Sequence, residues 1–324
     1  MADTMQPATP SNPPLTVIVG PTASGKSALA LRLAQQFPVE LVNADARAFY
    51  RAMDIGTAKP SIDDRARVRH HLIDILDPAE PMSLATFQDL TFDAIADIHG
   101  RHRLPVLVGG TPQYVNAVVE NWSIPRVPPD VRFRAALEDE VEQHGVAPLL
   151  ERLSLIDPLA AGRIGPNARR VIRALEVFRA TGSPISALQG KGPPRYDTLE
   201  IELVVDRARL YERIDRRVDS MIGDGLIDEV RGLIAAGVPP DATALSAIGY
   251  RQLLPYLRGE ISREAAIERI KFDTHRLVRS QQTWFRRNPR MVRVDMDAAD
   301  AGRRVVDLVE EHSGGWLRAA PSRG

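Results

Sequence analysis

The chain has 324 residues, enough for a large α/β domain and a smaller one, and its 42 Lys and Arg balance 42 Asp and Glu. Hydrophobic residues at 44% and charged residues at 26% are ordinary for a globular protein, and no apolar run reaches bilayer length, so no membrane role is expected. The lack of cysteine excludes disulfides, thiolate zinc sites and cysteine nucleophiles, and neutrality leaves attraction to nucleic acid to local clusters of charge.

Residues 1–14 are rich in Pro, Ser and Thr without the plan of a signal peptide, and read as a disordered lead-in of a cytoplasmic protein. Residues 15–19 are a β-branched strand that runs into Gly20-Pro21-Thr22-Ala23-Ser24-Gly25-Lys26-Ser27, after which a helical pattern covers 27–37. Strand, glycine-rich loop and helix in that order make a phosphate cradle. Backbone N–H groups and the helix N-terminus face the phosphates, Lys26 adds a mobile charge, and the Ser27 hydroxyl can ligate a Mg²⁺ shared with the ligand. A second strand, 39–44, stops at Asp45; in a parallel sheet its carboxyl end shares an edge with the loop, so Asp45 is expected beside the phosphates.

Loop and turn residues 47–51 and 53–60 follow, then a short strand at 71–75, a helix at 87–98 and a buried strand at 104–108. That strand ends in Gly109-Gly110-Thr111, where a nucleotide hydrolase would carry an acid for Mg²⁺. Residues 121–194 read as a helical insertion, with helices at 130–144, 147–155 and 169–180 between proline-rich borders. Strand 200–205, helices through 209–259, a long helix 264–286 with an apolar seam at Ile267, Ile270, Leu277 and Trp284, a strand at 291–294 and a helix at 302–312 complete the core. Residues 313–324 read as a disordered tail. The expected fold is thus α/β, a P-loop NTPase-like parallel sheet flanked by helices (15–120 and 195–312) with an inserted all-helical domain (121–194).

Between Arg263 and Arg293 nine basic residues face three acids, and Arg169, Arg170 and Arg173 form a second cluster. Together with a phosphate loop they favour an RNA or DNA partner. From the residues alone a small-molecule kinase stays open, because a strand-end acid suits deprotonation of a hydroxyl equally well. An RNA-binding nucleotide switch also stays open, although neither a strand-end Mg²⁺ acid nor a base-reading N-K-x-D motif is present.

The loop, then Tyr50-Arg51 with Met53-Asp54-Ile55-Gly56-Thr57-Ala58-Lys59-Pro60, resembles the tRNA dimethylallyltransferase (tRNA isopentenyltransferase) family of the compact bacterial type. The likeness continues through His70-His71-Leu72-Ile73-Asp74, Val108-Gly109-Gly110-Thr111, Arg170-Val171-Ile172-Arg173-Ala174-Leu175-Glu176-Val177, Ile248-Gly249-Tyr250-Arg251 and Gln282-Thr283-Trp284-Phe285-Arg286. It implies transfer of a dimethylallyl group from its diphosphate to N6 of adenosine 37 in the anticodon stem-loop of tRNA, with no ATP hydrolysis. By the same resemblance the loop holds the diphosphate, with Mg²⁺ on Ser27, and Asp45 is the general base. Thr111 lies near the adenosine, and Arg213 and Arg217 face the diphosphate. The tRNA-contacting positions would be Asp45, Ala46, Arg47, Ala48, Thr111, Arg132, Arg169, Arg170, Val171, Ile172, Arg173, Ser246, Ala247, Ile248, Gly249, Tyr250 and Arg251. A monomer is expected, and a prenyltransferase acting on free AMP is the nearer alternative. Ala46 and Ala48 stand where many members have Ser and Gln, Ala52 where Gly is usual, and Ser280 where an arginine is common.

Overall fold

Strand β1 (Pro14–Val19) is buried along its whole length, as a strand covered by helices on both faces must be. The computed structural model describes residues 12–318. Of these, the residues within Met1–Val119 and Pro194–Gly324 form one compact unit, and Glu120–Pro193 form another.

In the first unit β1 is followed by β2 (Val39–Asn43), β3 (His70–His71) and β4 (Leu104–Gly109). The second unit contributes β5 (Trp122–Ser123) and β6 (Gly190–Lys191); the chain then returns to the first unit for β7 (Asp197–Val204) and β8 (Val292–Asp295). The six strands of the first unit form one parallel sheet in the order β3-β2-β4-β1-β7-β8. The loop after β1 therefore opens at the centre of the sheet's carboxyl edge, flanked by the ends of β4 and β7.

Successive side chains of β1 point to opposite faces. Leu15, Val17 and Val19 pack with Phe87, Ile95, Val115 and Phe285, whereas Ile18 packs with Leu29, Leu33, Val305 and Val309. A third apolar cluster joins helices Arg207–Gly223, Leu226–Ala235, Tyr250–Leu257 and Arg263–Phe285. The second unit has its own core of Leu137, Leu149, Leu153, Val171 and Val177, from helices that include Val131–His144, Ala147–Ile156 and Ala168–Thr181. Asp130 caps the first of these helices by accepting from Phe133 N at 3.0 Å.

Several expectations need correction. The strand expected at 71–75 shrinks to His70–His71, because Leu72 (φ +60°) and Asp74 (φ +56°) leave extended backbone. The final helix runs Ala301–Arg318, so residues 313–318 of the expected tail are helical, with Ser313 and Gly314 buried in it. Residues 1–11 and 319–324 of the expected disordered ends lie outside the described residues. On the long helix the buried stripe is Ala266, Ile270, Asp273, Val278, Gln281 and Phe285, displaced from the expected seam; Leu277 is exposed. Periodicity located the helix, but its inward face carries two polar residues that an apolar seam could not reveal. Ala52 has φ +56°, the left-handed backbone for which glycine is the unstrained residue.

Candidate active site

The phosphate loop owes its course to its glycines. Gly25 sits at φ +95°, and a Cβ on Gly20 would meet the Leu203 carbonyl oxygen at 2.9 Å. Helix Lys26–Ala34 starts directly behind Gly25, so its first-turn amides lack partners within the helix and face the loop. Lys26 Nζ donates to the carbonyls of Gly20 and Pro21 at 2.9 and 2.8 Å. Burial pulls its pKa down to about 8; Asp45 opposes that shift and Arg217 adds to it, which sets these three charges close together. Burial likewise lowers the pKa of Arg217, against the pull of Asp45.

Asp45 is held by its neighbours at the end of β2. Asn43 Oδ1 accepts from Asp45 N at 2.9 Å, and Asn43 Nδ2 donates to the carbonyls of Asp45 and Leu72. Asp45 Oδ1 accepts from Arg47 N at 3.0 Å, a turn that fixes the carboxylate's direction. Thr111 Oγ1 accepts from Ala46 N at 3.3 Å, joining the ends of β4 and β2. The Arg47 guanidinium donates to Thr243 O and Ser246 Oγ.

The block 53–60 is built around a residue with no sequence signal of its own. Glu229 accepts from the backbone N–H groups of Asp54, Ile55 and Gly56 at 2.8, 2.8 and 3.2 Å, and from Tyr250 Oη at 2.5 Å. A Cβ on Gly56 would stand 2.4 Å from the Tyr250 ring. Gly56→Ala should therefore displace this turn and destabilise the protein by about 1–3 kcal/mol, the usual cost of overpacking. Thermal unfolding beside a control such as Gly100→Ala, where a Cβ meets nothing within 4 Å, measures it. Lys59, almost wholly buried, pairs with Asp54 and Asp74 at 2.7 and 2.5 Å and donates to Tyr50 O.

Two cavities open at this edge of the sheet. The larger, about 780 Å³, is lined by Arg47, Arg251, Arg276, Thr111 and Trp284 among others. The smaller, about 350 Å³, holds Ser27 and Asn43 against an apolar wall that includes Leu41, Ile73 and Val108. Thr22, Lys26, Asp45, Thr57 and Arg217 line both. Two chambers, both with apolar wall residues and the larger with Arg47, Arg251 and Arg276 besides, thus share a charged junction.

Ser27 and Asp45 both line the smaller cavity, a hard-oxygen pair suited to Mg²⁺. Among the described residues no group of three or more His, Cys, Asp or Glu could hold a metal alone. An ion here fits only when a phosphate supplies further oxygens.

Not every residue implied by the resemblance reaches this site. Ser246, Ala247, Ile248, Gly249 and Arg251 line the larger cavity, but Tyr250 is fully buried and serves Glu229. Arg213 lines neither cavity and sits 3.7 Å from Asp297, so of the expected arginine pair only Arg217 faces the junction. Ala48 is buried and lines the smaller cavity. In the second unit Val171 and Ile172 are core residues, which removes their side chains as RNA contacts. Arg173 donates to Val127 O and pairs with buried Glu176, whereas Arg132, Arg169 and Arg170 are exposed. The late basic cluster also thins, because Arg269, Lys271, Arg290 and Arg293 pair with Asp273, Asp219, Glu200 and Glu202. Arg276, Arg286 and Arg287 remain exposed. Asn43, Glu229 and Gln281 escaped the sequence reading, since lone polar residues mark their contacts only after folding.

Comparison with known proteins gives a consistent result. A profile of the family described as IPP transferase matches residues 48–288. A tRNA dimethylallyltransferase of Roseiflexus sp. (strain RS-1) is 52% identical over 307 residues, 94% of this chain and 99% of that protein. The namesake protein of Thermomicrobium roseum is 50% identical, covering 85% of this chain and 84% of its own. The crystal structure of the tRNA isopentenylpyrophosphate transferase of Bacillus halodurans is similar with a TM-score of 0.68 and 42% identity, covering 94% of this chain and 96% of its own. A eukaryotic dimethylallyltransferase described as acting on tRNA is similar with a TM-score of 0.79 and 26% identity, covering 96% and 81%.

Proposed function

The chain belongs to the tRNA dimethylallyltransferase family, and we propose that it transfers the dimethylallyl group of dimethylallyl diphosphate to N6 of adenosine 37, beside the tRNA anticodon. The observation that carries the reading is the pair of cavities meeting at Thr22, Lys26, Asp45, Thr57 and Arg217. A one-substrate hydrolase needs one chamber; a transfer between a small lipid diphosphate and a nucleotide needs two that touch.

In this reading the donor lies with its diphosphate on the loop amides, Lys26 and Arg217, and its isoprenoid carbons against the apolar wall of the smaller cavity. The adenine enters the larger cavity, extruded from the anticodon loop, since a stacked base is unreachable. N6 attacks the carbon bonded to the diphosphate, the C–O bond breaks, and the electron pair leaves with the diphosphate. Asp45 takes the proton from N6 as the C–N bond forms. Amides and cations already aimed at the leaving group stabilise its growing charge without reorganising. Ser27 would help to hold a Mg²⁺ ion, whose charge would supply further neutralisation of the leaving group when bound. Arg132, Arg169, Arg170, Arg276, Arg286 and Arg287 are exposed cations available to RNA phosphates. Among the described residues no helix is long and apolar enough to cross a membrane, and we read the enzyme as a cytoplasmic monomer.

The test is mass analysis of anticodon-loop nucleosides after incubation with dimethylallyl diphosphate and unmodified tRNA. N6-dimethylallyladenosine at position 37 is expected; its absence, or prenylation of free AMP instead, would overturn the reading.

Two further outcomes follow. Because Lys26 loses its proton as pH rises through about 8, its attraction for the donor anion weakens above that pH. Log(kcat/KM) for dimethylallyl diphosphate should be level well below pH 8, bend near pH 8 and fall above it, with a limiting slope of about one decade per unit. Replacing both Arg169 and Arg170 by Ala should weaken tRNA binding and lower the slope of log Kd against log salt by about 1–2. An unchanged slope would remove both from the interface.

A further inference from the structure

Two of the six buried residues on helix Arg263–Phe285 are polar. Asp273 is answered by Arg251 and Gln252 at 3.1 and 2.7 Å. Gln281 reaches instead across to the phosphate loop. Its Oε1 accepts from Thr22 N at 3.1 Å, and its Nε2 donates to Gly110 O at 2.6 Å. A buried primary amide is stable only when both ends are bonded. Here the two ends tie the turn after β1 to the turn after β4. The fit is close on the strand side, where a Cβ on Gly110 would stand 2.7 Å from Gln281 Nε2.

We propose that Gln281 is a positioning residue for the transfer, holding the Thr22 amide and with it the entrance of the phosphate loop against the Gly110–Thr111 strand end. The inference rests on the transfer reading above. The carbonyls that receive Lys26 Nζ belong to Gly20 and Pro21, immediately before Thr22. Where the loop entrance sits therefore decides where the ammonium stands. On the other side of the tie, Thr111 holds the amide of Ala46, next to Asp45. Gln281 thus sets the distance between the cation that meets the leaving group and the carboxylate that meets the amine, with both ends of its amide spent on backbone groups of the protein. The same helix lines the larger cavity through Arg276, Leu277, Ser280 and Gln281 itself, so the brace is part of a wall of the acceptor chamber.

The experiment is steady-state kinetics of Gln281→Met, which preserves volume and removes both bonds, with thermal unfolding and anticodon stem-loop binding measured on the same preparation. The expected result is a fall in kcat of about 10–100-fold, the scale of an ångström-sized misplacement, and a raised KM for dimethylallyl diphosphate. RNA affinity should stay within about twofold, because the amide is engaged by Thr22 N and Gly110 O and the exposed arginines are unchanged. Gly110→Ala, which pushes on the same amide from the strand side, should reproduce the defect and serves as the test if Gln281→Met does not fold. The double variant should be no worse than the more impaired single one, because both act on one contact. A kcat within about threefold of the parent for the folded single variants, or fully additive losses in the double variant, would overturn the proposal. Absence of transfer by the parent enzyme would overturn the functional reading instead, which separates the two failures.

Discussion

Asp45→Asn should lower kcat for prenyl transfer by about 10²–10⁴-fold, the range over which a positioned base contributes, while leaving tRNA affinity within about twofold. Asparagine keeps the shape and can still accept from Arg47 N, as Asp45 Oδ1 does at 3.0 Å, so the turn survives while the proton acceptor is lost. The substitution also removes the negative charge that opposes the burial-driven pKa shifts of Lys26 and Arg217. Without Asp45 the Lys26 pKa falls further, so the alkaline limb of donor binding should move to lower pH, while at a pH where Lys26 stays protonated the donor KM changes little. A collapse of kcat at that pH separates a base from a mere anchor. Filter binding of tRNA and single-turnover transfer on the same variant measure both halves. Loss of tRNA binding with folding intact would instead make Asp45 an acceptor contact.

Lys26→Met should reduce kcat/KM for dimethylallyl diphosphate by about 10²–10³-fold, the scale of one electrostatic donor removed from a developing anion. Lys26 is half-buried with its ammonium on two backbone carbonyls. A methionine of similar length fills the space but cannot meet a phosphate. The pH profile gives an independent check. The descending limb above about pH 8, assigned to Lys26, should vanish in the variant, whose residual rate depends on the loop amides and Arg217. Thermal stability should not fall in parallel, because a half-buried cation removed with its charge leaves no uncompensated ion behind. A variant that kept the alkaline limb would assign that titration to another group.

Much of the site was legible in the chain because its chemistry is local. Gly20 to Ser27 is contiguous, and its strand and helix neighbours define its shape, so a phosphate cradle follows from eight residues and their flanks. Asp45 was legible for a topological reason: strands of a parallel sheet end on one edge, and β2 ends beside Asp45. The block 53–60 was visible as a pattern but not explained by it. Glu229 and Tyr250, which hold that turn, lie more than 170 residues away in the chain. Arg213 and Arg217 look alike in sequence, one helical turn apart, yet Asp297 near β8 engages the first and leaves the second for the junction.

What the amino-acid order determined by itself was the strand–loop–helix cradle, the parallel sheet and the helical character of the inserted segment. Each depends on neighbours within a few residues or on side-chain periodicity. What only the tertiary structure decided was which charges stay unpaired, where two cavities meet, and that a glutamine from the long helix completes the phosphate loop. Hydrogen bonds and ion pairs between distant segments exist only once the backbone has brought them within about 3 Å, and no period in the sequence encodes that approach.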